Sequence, residues 1–190
     1  MKQVFVVESP VNKFIQSVVD TSFTDLGVSR DIATYAADRF DSYLFSDGHP
    51  VYGGRTRLRE MFMRTEGVSS EFSEQELALI RRHIGDYTLY LLGFFPETVN
   101  GDSTRYSVYG QHCFERLKTY SGDDVKFVQN VPVFRALSDE GIYDRSVRAL
   151  NTSIERLRQM NQLDVSKDVV DASPEDFSAS LMAALQRWKM

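Results

Sequence analysis

The chain reads as an all-α protein, an irregular single-domain bundle of about seven helices with a short N-terminal extended segment. Three observations predict this. Apolar residues recur at i, i+3, i+4 and i+7 through most of the chain, the period of a helix that buries one face. Successive segments open on a capping residue and close on glycine, proline or a polar turn. No fixed-period repeat and no low-complexity tract interrupts this pattern.

The elements follow in order. Val4 to Val7 is β-branched and aromatic, which suits a short strand or an extended arm. Ser9-Pro10 then caps and starts a helix, because proline at the first helical position loses no hydrogen bond. Val11, Phe14, Ile15, Val18 and Val19 form its stripe, and Thr24-Asp25-Leu26-Gly27 breaks it. Ser29 caps a second helix with Ile32, Tyr35, Ala36, Phe40, Tyr43 and Leu44 on one face. Ser46-Asp47-Gly48-His49-Pro50 ends it as a turn. Gly53-Gly54 opens a short helix to about Arg64, and Glu66 to Ser70 reads as a loop.

Ser73 and Glu76 form a capping box, in which hydroxyl and carboxylate each take an orphan backbone N–H. The helix they start runs to about Phe95, where Pro96 stops it. Leu77, Ile80, Ile84, Tyr87, Leu91 and Phe94 make its stripe, and Leu89 and Leu92 widen it, predicting burial on most sides. After a turn at Asn100 to Ser103, a helix covers about Thr104 to Tyr120. Val125 to Leu137 is apolar and interrupted by Pro132, predicting two short pieces. Asp139 to about Gln162 is helical, with Val147, Leu150, Ile154 and Leu157 at heptad-like spacing. Residues 164–172 read as a linker. Ser173-Pro174-Glu175-Asp176 starts a last helix, 173–189, with cap, proline and two carboxylates at the positive end of its dipole.

Composition narrows the function classes. A chain of 190 residues can bury roughly 70% of its unfolded surface, so it needs neither disulfide nor metal to fold. The net charge of −5 argues against a dedicated nucleic-acid binder, whose affinity comes from neutralising phosphates. A single cysteine excludes an internal disulfide and the multi-cysteine zinc motifs, and fits a reducing cytoplasm. The longest apolar-rich run, Ile84 to Phe95, is short of the roughly 20 residues that span a bilayer. The expectation is a cytoplasmic protein with no membrane segment.

The run Gly85-Asp86-x-x-Leu89-x-x-x-Gly93-Phe94-Phe95-Pro96-Glu97, followed by Tyr106-x-x-Tyr109-Gly110-x-x-x-Phe114-x-x-Leu117, resembles a motif in a group of uncharacterised bacterial proteins. The likeness covers about residues 76–120. That group usually has another residue where Tyr109 stands and often an aromatic hydroxyl where Phe114 stands. The resemblance implies an all-helical bacterial cytoplasmic protein and carries over no catalytic residue.

Three constellations could carry chemistry. Asp86 is the one charged residue between Ile84 and Phe95, and a carboxylate buried there is costly unless bonded. His83 and Tyr90 lie three residues before it and four after, within reach of one helix face. With Tyr109 and Cys113 they define a candidate ligand pocket. The structural alternative is that Asp86 pairs with an arginine or a tyrosine hydroxyl and fixes helix packing. The second constellation is His112-Cys113. Adjacent helical residues point about 100° apart and make no natural ligand pair. Cys113 lies on an apolar stripe, which predicts an inert buried thiol. Gly85 and Gly93 suit close approach by another helix. Metal is poorly supported, because no two histidines stand at i, i+3 or i, i+4 and neither H-E-x-x-H nor E-x-x-H occurs.

The third constellation is Gly53-Gly54-Arg55-Thr56-Arg57-Leu58-Arg59. A glycine pair before a helix can present N–H groups to an anion, and Arg55, Arg57 and Arg59 would strengthen that. The alternative is a solvated helix face paired with acidic neighbours. No catalytic signature stands out and no cofactor is expected. The leading expectation is a non-enzymatic protein that binds itself, as a homodimer, or another protein. Its contacts would come from the tyrosine-rich helices and the last helix.

Overall fold

A computed structural model describes residues 10–45, 54–67, 72–99 and 101–160. The expected N-terminal extended segment, the turn at 46–50, the linker 164–172 and the helix 173–189 lie outside the described residues. Those described form eight α-helices and one 3-10 helix, with no strand among them. The fold is all-α. The helices are α1 (Pro10–Asp25), α2 (Arg30–Phe45), α3 (Gly54–Gly67), α4 (Glu74–Phe94), α5 (Ser103–Leu117), α6 (Val125–Gln129), α7 (Val131–Leu137) and α8 (Glu140–Met160).

Helix α4 is central. It packs against α3, α5 and α8, while α1 packs against α2 and α8. Its start is the expected capping box: Ser73 Oγ accepts from Glu76 N–H, and Glu76 Oε2 accepts from Ser73 N–H at 2.9 Å. From Ile84 to Phe95 every residue but Tyr87 is buried. The wide apolar stripe therefore does what its width predicts.

Glycine lets the neighbours come close. A Cβ on Gly93 would lie 2.6 Å from Leu150 Cβ of α8, and one on Gly85 2.9 Å from the Phe114 ring of α5. A Cβ on Gly110 of α5 would overlap Tyr143 Oη and Thr88 Oγ1. That junction is polar and closed. Tyr143 Oη donates to Thr88 Oγ1 at 3.1 Å, and Thr88 Oγ1 donates to Gly85 O at 2.9 Å.

Several boundaries differ from the sequence expectation. Helix α3 continues past Arg64 through Glu66 and Gly67, so the loop starts later. Pro96 stops α4 but opens a 3-10 turn, Pro96–Val99. Helix α5 ends at Leu117 rather than at Tyr120. Pro132 does not break the 125–137 segment. It sits in the first turn of α7, where its missing N–H costs nothing. The break falls at Asn130, which caps the end of α6 and the start of α7.

Candidate functional site around Asp86

The α2 stripe turns Ile32, Tyr35 and Ala36 into the core. Tyr35 meets Phe134 of α7 edge-on, with ring centroids 5.8 Å apart. Its hydroxyl donates to Asp86 Oδ1 of α4. One turn along α2, the Arg39 guanidinium stands 5.7 Å from the Tyr35 ring centre. One turn back along α4, Arg82 lies over the Phe127 ring at 4.9 Å. Asp86 is thus gripped by one neutral donor, with two cations at longer range.

Burial dominates its electrostatics. Removal from water raises the Asp86 pKa to about 6, against the Tyr35 hydrogen bond and the Arg39 and Arg82 charges, which lower it. Tyr35 is pushed well above its ordinary value by burial first and by the Asp86 charge second. The pair therefore shares a proton on Tyr35 and titrates at the carboxyl.

A cavity of about 10 Å³ opens beside the carboxyl, lined by Arg39, Asp86, Tyr90, Ala36, Leu89 and Leu150 among others. That volume suits one water, which needs roughly 10–15 Å³. Of the five residues expected to form a ligand pocket, the cavity joins Asp86 and Tyr90. His83 lies off this cavity. It stacks on Tyr87 at 5.9 Å, and Tyr87 stacks on Tyr90 at 6.5 Å. Burial and the neighbouring Arg82 lower the His83 pKa, which favours the neutral ring.

Tyr109 and Cys113 belong to a different cluster, on α5. Tyr109 stacks on Phe62 of α3 at 4.2 Å and meets Tyr106 edge-on at 6.1 Å. Cys113 is fully buried, and burial followed by the Glu66 charge pushes its thiol far above the ordinary range. A thiol so protonated is a poor nucleophile. Beside it, the Glu66 carboxylate meets His112 Nε2 at 3.0 Å, Arg81 Nη2 at 3.3 Å and Arg116 Nη2 at 3.6 Å. Partial burial opposes the Glu66 charge, but the His112 hydrogen bond and the Arg81 and Arg116 charges hold its pKa below the ordinary value.

Sequence reasoning missed Tyr35, Arg39 and Glu66 as site residues. Tyr35 was legible only as part of the α2 stripe, and Glu66 was placed in a loop. On the anion candidate, Arg59 is exposed on α3, while the side chains of Arg55 and Arg57 lie outside the described residues. Among the described residues no cluster of His, Cys, Asp and Glu could hold a metal ion, and no helix is long and apolar enough to cross a membrane. Comparison with protein-family models, with curated proteins and with solved structures gives no match.

Proposed function

We propose that the protein works by binding protein surfaces, first of all a second copy of itself, in a reducing cytoplasmic setting and without catalysing a reaction. The carrying observation is the outer face of α6. Val125 is 67% exposed and Val128, one turn on, is 42% exposed, while Phe127 on the opposite face is buried in the core. A helix of five residues with apolar side chains on both faces is suited to lie between two cores. Met63, Leu79 and Val108 add further exposed apolar area on α3, α4 and α5. Most self-associating proteins close by a two-fold axis, which would set α6 against its own copy. Native mass spectrometry of protein purified from its own host tests this. A dimer supports the reading. A monomer without a retained protein partner at micromolar concentration ends it.

The second reading is a small-ligand or enzymatic site, and Asp86 is the observation that favours it. A carboxyl titrating near 6 beside a tyrosine hydroxyl has the pKa of a usable acid or base. The cavity beside it is far below the roughly 300 Å³ at which ligand pockets begin. A retained small molecule in the same mass spectrum, released by Asp86→Asn, would reverse the ranking.

A further inference from the structure

Arg39 Nε is buried and makes no hydrogen bond among the described residues. A buried donor on a charged group is costly to leave unmatched. Its side chain and the Asp86 carboxyl line the same cavity. Tyr35 donates to Asp86 Oδ1, one of the two carboxyl oxygens. The cavity has the volume of one water, and its other walls are Ala36, Leu89, Tyr90, Phe94 and Leu150. Polar partners at one end and apolar walls around them are the conditions under which a buried water is held rather than excluded.

We propose that this cavity is a built site for one water molecule, which bridges the Asp86 carboxyl to Arg39 Nε and so joins α4 to α2 a second time. Tyr35 makes the direct joint and the water makes the indirect one. A water in contact with Asp86 offsets part of the desolvation that raises its pKa. Arg39 then serves the site as a cation held one water away, which accounts for an arginine beside a buried carboxyl that it does not touch.

The test is a high-resolution crystal structure of the full chain together with water–protein nuclear Overhauser spectra. The expected result is one density peak at hydrogen-bond distance from both Asp86 and Arg39 Nε. A water cross-peak to the Ala36 methyl should accompany it. Ala36→Val narrows the cavity, and the cross-peak should vanish while the fold persists. Direct bonding of Arg39 Nε to Asp86, a dry cavity, or a cross-peak that survives Ala36→Val would each overturn the proposal.

Discussion

At Asp86 the protein holds a carboxyl where water would hold it better, and the consequence is a stability that falls as pH rises. The folded pKa of about 6 lies above the ordinary 3.8. Between these values the folded state binds more protons at Asp86 than the unfolded state, so the Asp86 contribution is most favourable below about pH 4 and declines as pH rises through 6. The shift corresponds to on the order of 2–3 kcal/mol. Tyr143 of α8 senses the same charge weakly, and Tyr35, Arg39 and Arg82 face it from α2 and α4. Asp86→Asn keeps an acceptor for Tyr35 and cannot ionise. Urea unfolding from pH 4 to 8 should give a wild-type-minus-variant difference that declines over this window. A flat difference would show that Asp86 titrates normally.

Tyr35→Phe should cost about 2 kcal/mol, because it strips the one direct donor from a buried charge. The same change should raise the Asp86 pKa further, read from its carboxyl carbon shift. An Asp86 pKa that stays in place would mean that Tyr35 contributes packing alone. Asp86 itself was legible in sequence because it is a lone charge in a wide apolar run. Its partners were not. Tyr35 is 51 residues away, and nothing local marks which of the many aromatic hydroxyls a carboxylate will find.

At the scale of elements, glycine decides how closely the central helices approach. Gly110→Ala should destabilise by about 3 kcal/mol, since its methyl would overlap the Tyr143 and Thr88 hydroxyls and break their bond. Gly67→Ala at the end of α3 meets nothing within 4 Å and should be neutral or slightly stabilising. Thermal melts of both variants check the contrast. Equal effects would mean that close packing is not what Gly110 provides. The role of Gly85 and Gly93 was readable from sequence, because a glycine within a helix signals close approach. The end of α3 was not, because its last turn is held from outside. Glu66 stays helical while Arg81 of α4 and His112 and Arg116 of α5 converge on its carboxylate.

That hub makes its own prediction. The Glu66 pKa is depressed, so its contribution is present at neutral pH and is lost as pH falls through the folded value, below 4.5. Glu66→Gln should cost about 1 kcal/mol at pH 7, a modest figure because the partners are partly exposed. The loss should shrink in acid and in high salt. A cost independent of both would assign Glu66 a packing role instead.

Across the whole molecule, one core runs from α1 and α2 through α4 to α8, and its aromatic surplus lies within it. Phe114, Phe127, Phe134 and Tyr143 are essentially without exposure. The tyrosine-rich helices expected to make outside contacts thus spend much of their apolar area inside. The fold class was legible because helical periodicity and caps are local signals. Which apolar residues would be left outside was not, because α6 is too short for periodicity to set its inner face. Val125 and Val128 emerge as surface only once Phe127 is seen to fill the core.

The most direct test of the central claim is sedimentation velocity of the full chain from micromolar to hundred-micromolar concentration, beside the Val125→Asp/Val128→Asp variant. The wild type should sediment increasingly as a dimer, and the variant as a folded monomer with an unchanged circular dichroism spectrum. A wild-type monomer across the whole range, or a dimer that the double substitution leaves intact, would contradict association through α6.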